Sequence, residues 1–267
     1  MAFFKLSSPL YREYLRLIKD ERKFMLKRQE EKENFLNKAL KDKIPQKLQS
    51  TLTEAFIKAF SLIFKKGTVA IELTCKKENA EKEFKLREAA YEINGNRKSI
   101  KAFAKNAKAQ DNFHTLISGI SGISMGLLGI GIPDIPIFTA VMLRDIYKTA
   151  AGFGYKYDTR EERFFILKCI EASLSRGDNL SFIDAEINSF IEKGFISESY
   201  TEEKQIEKTA EALSSALLYM KFLQGIPIAG AAGGIYDAVY MKETASYSTL
   251  KYRRRFLTQK LKKEKLL

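Results

Sequence analysis

From Thr115 to Leu143 the chain reads TLISGISGISMGLLGIGIPDIPIFTAVML, with Asp134 as its single ionisable residue. In a sequence that is 30% charged, such a run has to be buried, either in a bilayer or in a protein core. Between Leu116 and Ile132 it approaches the length of a membrane-spanning helix. Nine of those residues are strongly apolar, and at about −0.3 to −0.6 kcal/mol each they supply about −5 kcal/mol at best. The rest are Gly and Ser, which add nothing favourable. Pro133 and Pro136 interrupt a continuous helix, so the spacing predicts two helices with a break near Gly129–Pro133. Asp134 then caps the second helix and Pro136 falls in its first turn.

The small residues are periodic. Ser118, Gly122 and Gly126 recur every four positions and share one helical face, which lets another backbone approach closely. A second stretch, GIPIAGAAGGIYDAVYM from Gly225 to Met241, carries Gly230 and Gly234 with the same spacing. Both stretches contain Gly-Ile-Pro, at Gly131–Pro133 and at Gly225–Pro227. Two glycine-faced helical elements packed together are expected, as the centre of a helical core or side by side in a membrane.

At 267 residues the chain is long enough to bury a substantial core. No Pro-, Gly- or Ser-rich linker divides it, so a single domain is expected, with a basic helical region over 1–110 and a core over 111–267. The N-terminus lacks an apolar signal segment, which predicts a cytoplasmic protein. Cys75 and Cys169 are isolated and form no disulfide framework or metal motif. The net charge of +13 divides as +12 for 1–110, −6 for 111–250 and +7 for 251–267. A basic excess of this kind suits nucleic acid or an anionic membrane. Nucleic acid is disfavoured because the lysines follow amphipathic helices and no binding module accompanies them. The lysines instead flank the apolar segments, and Lys58, Lys65, Lys66, Lys101, Lys105 and Lys108 are candidates for membrane or anion contact. Lys251, Arg253, Arg254 and Arg255 near the C-terminus join them.

Helical spacing runs through the chain, and no segment alternates convincingly with period two. The predicted class is all-α. A long helix is expected over Pro9–Leu40. The most amphipathic helix spans Gln46–Lys66, with Phe56, Phe60 and Phe64 on the face that enters either a core or a bilayer interface. A charged helix over Val69–Ile93 ends at the turn Asn94-Gly95-Asn96. Further helices are expected over Ile135–Lys156, from the capping box at Thr159 and Glu162 to Gly177, over Phe182–Lys193, and from a second capping box at Ser199 and Glu202 to Gly225. A last helix runs into the basic residues, followed by a frayed tail, QKLKKEKLL.

Chemistry is sparse. His114 is the single histidine and fits a structural role at the edge of the apolar stretch better than that of a general base. No Walker A, H-E-x-x-H, G-x-S-x-G or dinucleotide fingerprint is present, and neither a metal nor a cofactor is predicted. Three carboxylates lie in apolar company, Asp134, Asp145 and Asp237, where they can cap a helix, pair with a cation or take part in proton transfer. Arg144 points about 100° away from Asp145 and is a candidate clasp to Asp134 or Asp237. The enzymatic alternative is a hydrolase acting on a lipid or small molecule through Asp134 and Asp237.

The run LLGIGIPDIPIFTAVMLRDIYKTAAGFGYKYDTREERFFILKCIEASL resembles the central signature of EcsC-family proteins. Ile44-Pro45 ahead of the amphipathic helix, and KFLQGIPIAGAAGGIYDAVYMKETASYSTLKYRRRFL near the C-terminus, are similar to it as well. The resemblance implies a bacterial helical protein without an assigned catalytic activity or cofactor, in a family with a member encoded beside an ABC transporter. The motif positions it carries over are Pro133, Asp134 and Pro136, with Gly225, Pro227, Gly230, Gly234 and Asp237. Together these observations predict a non-enzymatic accessory protein on the cytoplasmic face of the membrane, with an anionic surface and a transporter as expected partners.

Overall fold

The computed structural model describes residues 8–29, 44–66, 77–105, 134–194, 196, 199–224 and 230–266. Among these, nine helices and no strand are present. They are α1 (Pro9–Leu26), α2 (Gln46–Lys66), α3 (Lys77–Asn94), α4 (Arg97–Lys105), α5 (Asp134–Gly152), α6 (Arg160–Leu174), α7 (Gly177–Lys193), α8 (Glu202–Gln224) and α9 (Gly230–Lys263). The all-α expectation holds. The two regions drawn from charge share one hydrophobic core, because α1 and α2 of the basic N-terminal part pack on α9, α5 and α8.

Local chemistry sets most boundaries. Ser8 caps α1 by accepting from the Tyr11 amide at 3.5 Å, and Pro9 opens the helix, where its missing N–H costs no intrahelical bond. Asn96 Oδ1 accepts from the Ser99 amide at 3.0 Å at the start of α4. Thr159 caps α6 through the Glu162 amide at 3.2 Å, as the capping box predicts. The second box is displaced by two residues: Thr201, not Ser199, accepts from a first-turn amide, that of Lys204 at 3.3 Å. Gly194 ends α7 in the left-handed conformation, φ 76°, which glycine adopts without a Cβ penalty.

Burial explains the packing order. Leu52, Phe56, Phe60 and Phe64 of α2 are all buried against α5 and α8. The phenylalanine face of α2 is therefore core and not bilayer anchor, and α4 and α1, not α2 as expected, are the more amphipathic helices. Helix α6 is buried almost all round, from Glu162 through Ser173, the signature of a helix at the centre of a bundle. Around it, α9 reaches α1, α5, α6, α7 and α8. Its 34 residues span about 50 Å, and it does not fray where the sequence suggests. Leu257 and Leu261 are buried, and Lys260 pairs with Glu88 at 2.6 Å, which holds the helix through Lys263. The first helix is shorter than the expected Pro9–Leu40: it ends at Leu26, capped by Lys27, and the chain turns over residues 27–29; residues 30–43 and the upstream part of the predicted Val69–Ile93 helix lie outside the described residues.

The loop after α5 depends on one glycine. Gly154 has φ +83°, and a Cβ there would lie 2.5 Å from Phe84 Cζ of α3. Strain and clash act together, so Gly154→Ala is expected to cost about 1–3 kcal/mol, measurable as a lower urea midpoint. An unchanged midpoint would mean that Phe84 yields without loss.

Candidate functional site

Lys251, Arg253, Arg254 and Arg255 of α9 face carboxylates of neighbouring helices. Lys251 is 1% exposed, and its ammonium donates to Glu21 Oε1 at 3.0 Å and Asn188 Oδ1 at 3.0 Å, and pairs with Asp184 Oδ1 at 2.7 Å. The Tyr247 hydroxyl donates to the same Asp184 oxygen at 2.7 Å, and Asn188 Nδ2 donates to the other at 2.7 Å. Arg254 binds Glu21 Oε2 at 2.6 Å. Arg253 holds Glu13 at 2.5 Å and Asp20 at 3.2 Å. Arg255 donates to Glu162 Oε2 at 2.6 Å, while the Tyr252 hydroxyl donates to Glu162 Oε1 at 2.5 Å. Each of the four cations expected at a membrane or anion surface thus neutralises a carboxylate of α1, α6 or α7, and of the four Arg253 also borders the groove described next. Burial lowers the guanidinium pKa of Arg255 and Arg254, but Glu162 and Glu21 respectively overcome that cost and raise it. Glu162 is itself raised by burial, against the opposing pull of Arg255.

Cations not tied up in this way meet elsewhere. Helices α1, α4, α5 and α9 enclose an open groove of about 1720 Å³, lined by eight basic side chains against three carboxylates. Arg97 and Arg253 belong to the Glu13 cluster. Lys23, Lys27, Lys98, Lys101 and Lys242 are exposed and have no carboxylate partner among the described residues. Phe24, Ala102, Ala245 and Leu250 give the groove an apolar wall. Asp145 lines it as well; burial pushes this carboxyl up, and the nearby Arg144 opposes the shift. Three aliphatic-stemmed lysines, Lys98 and Lys101 one turn apart on α4 and Lys23 on α1, thus approach the same cavity from different elements. Such a concave, cationic, partly apolar surface is suited to holding an anion attached to an apolar body.

The predicted site residues distribute unevenly. Lys101, Asp145 and Arg253 reach the groove, and the expected divergence of Asp145 from Arg144 is compatible with Arg144 being buried. Pro136 is buried in the first turn of α5, as expected. Lys58 and Lys65 are exposed on α2 and contribute nothing to the groove. Gly122, Gly126, Lys108, His114, Pro133, Gly225 and Pro227 lie outside the described residues, as does Cys75. Asp134, Asp237, Gly230 and Gly234 are described in backbone alone, on α5 and α9, as are Lys66 and Lys105 on α2 and α4. The two-carboxylate arrangement and the Arg144 clasp therefore fall on side chains outside the description, as does the packing of the glycine-rich faces. Cys169 is fully buried, and burial raises its thiol. Among the described residues, no His, Cys, Asp and Glu cluster is placed to hold a metal ion, and no helix is long and apolar enough to cross a membrane.

The sequence profile of the EcsC protein family matches residues 11–257, from the first helix to the last. This chain belongs to the EcsC family. No curated protein and no solved structure matches it. In this EcsC-family chain, sequence reasoning singled out Lys101 but missed the groove's other lysines, Lys23, Lys27, Lys98, Lys148 and Lys242. The signal available for Lys98 was its position one turn before Lys101 on a short helix with Ile100 and Phe103 on the opposite, buried side. Lys23, Lys27 and Lys242 lie on helices far away in sequence, and only the fold brings them to that helix.

Proposed function

We propose that this EcsC-family chain is a non-enzymatic peripheral protein that docks on the anionic, cytoplasmic face of a membrane through the groove between α1, α4, α5 and α9. The observation that carries this reading is the set of five exposed lysines around one groove with no carboxylate partner among the described residues, in a protein that pairs Lys251, Arg253, Arg254 and Arg255 of α9 internally. Each lysine near an anionic surface contributes about 1 kcal/mol, so the set is sufficient for salt-sensitive association without a spanning helix. The apolar wall gives the lysine stems and lipid carbons a place to pack.

Flotation with neutral and anionic vesicles tests it. Association with anionic vesicles alone is expected at low salt, and its loss near 1 M salt, where screening falls to about 3 Å. Lys23→Glu/Lys98→Glu/Lys101→Glu should abolish flotation, whereas Lys58→Glu/Lys65→Glu on α2 should leave it intact. Equal binding to neutral vesicles, or a groove variant that floats like the parent, would count against the proposal.

A further inference from the structure

We infer that the groove selects lipids whose headgroup ends in a phosphate monoester or pyrophosphate, over lipids with a singly charged phosphodiester. This rests on the membrane reading above and narrows it to a class of headgroup. The first reason is shape. A plane of phosphodiester headgroups meets a flat or convex basic face most easily, because every charge then lies at one level. Here the lysines belong to three helices around a recess of about 1720 Å³, so a group that projects from the bilayer can meet more of them at once than the headgroup plane does.

The second reason is charge. The lining carries eight basic groups against three acidic ones, an excess of five positive charges, and the carboxylates do not neutralise Lys23, Lys27, Lys98, Lys101 or Lys242. Bringing five ammonium groups into one recess is self-repulsive until an anion enters. A phosphate monoester carries about −1.5 to −2 near neutral pH with three acceptor oxygens, and can meet several ammonium groups at once. A phosphodiester carries a single charge and answers fewer of them. The free groups are lysines, which act as mobile point charges; the two arginines in the lining are held by Glu13. Phe24 and Leu250 on the wall offer contact to the carbons that follow the phosphate, which is why a lipid fits better than inorganic phosphate.

The test compares vesicles of phosphatidic acid and of phosphatidylglycerol, mixed with neutral lipid to the same zeta potential, with inorganic pyrophosphate as a soluble competitor. About tenfold tighter binding to phosphatidic acid is expected, equivalent to about 1.4 kcal/mol, with partial displacement by pyrophosphate. Lys98→Glu/Lys101→Glu should erase this preference; both positions are exposed, and circular dichroism verifies that the fold is retained. Equal affinity for the two lipids would overturn the headgroup selectivity and leave membrane docking standing. Failure to bind either would overturn both. Pyrophosphate binding without vesicle binding would overturn the lipid assignment, and a preference unchanged in the variant would overturn its placement in the groove.

Discussion

Replacing Lys251 with methionine lowers the stability of the fold by about 3–5 kcal/mol, the loss expected when one partner of a buried ion pair is removed. The side chain is 1% exposed and its ammonium answers Glu21, Asp184 and Asn188 together. Methionine fills nearly the same space, so the loss reports charge and not a cavity. Glu21 keeps Arg254 at 2.6 Å, and the deficit concentrates on Asp184, which retains just the Tyr247 and Asn188 donors. Adding Asp184→Asn to the variant should therefore recover part of the loss, a coupling that urea denaturation of the four proteins in the cycle measures directly. Additive effects of the two substitutions would show that the ammonium and the Asp184 carboxylate do not stabilise one another.

Glu162→Ala should be comparably damaging, at about 3–5 kcal/mol, because it strands Arg255 and the Tyr252 hydroxyl, which both depend on this carboxylate. Glu162→Gln is milder, since the amide can still accept from Arg255 and donate to the Tyr252 oxygen. The pH dependence then has a definite sign. Burial raises Glu162 above the ordinary carboxylate range, and Arg255 and Tyr252 reduce that rise without cancelling it. The folded protein thus holds this proton more tightly than the unfolded chain, and the contribution of Glu162 to stability declines as pH rises from the ordinary carboxylate value through the raised one. Wild type should gain on Glu162→Gln as pH falls through that window and run parallel to it above. Paired denaturation curves that diverge in the opposite direction would refute the assignment.

These two residues also show how far the sequence could be read. Thr159 and Glu162 announce a helix start within four consecutive residues, and that start is where the structure has it. The second function of Glu162 depends on Tyr252 and Arg255, some 90 positions away, and no local pattern encodes such a pairing. The run Lys251-Tyr252-Arg253-Arg254-Arg255 resembles a solvent-facing basic patch for the same reason. Its carboxylates, Glu13, Glu21, Glu162 and Asp184, are scattered over three helices, two of them on a face of α1 where they alternate with Leu10 and Leu17. A glutamate at an apolar-face position was the available clue. Helix existence and type were legible because period 3.6 is a local property; the groove was not, since it is a property of four helices meeting.

The order of the chain adds a condition on its assembly. Helix α9 packs on α1, α5, α6, α7 and α8 and also meets α3 through Lys260 and Glu88 and α4 through Phe256 and Phe103, yet all of these are synthesised before it. Until α9 arrives, Glu21, Glu162 and Asp184 have no counter-ions, and the hydrophobic seam they border has no filling. The cations that answer these carboxylates and the apolar residues that complete the seam are thus carried by one and the same helix, so charge neutralisation and core completion both depend on its docking.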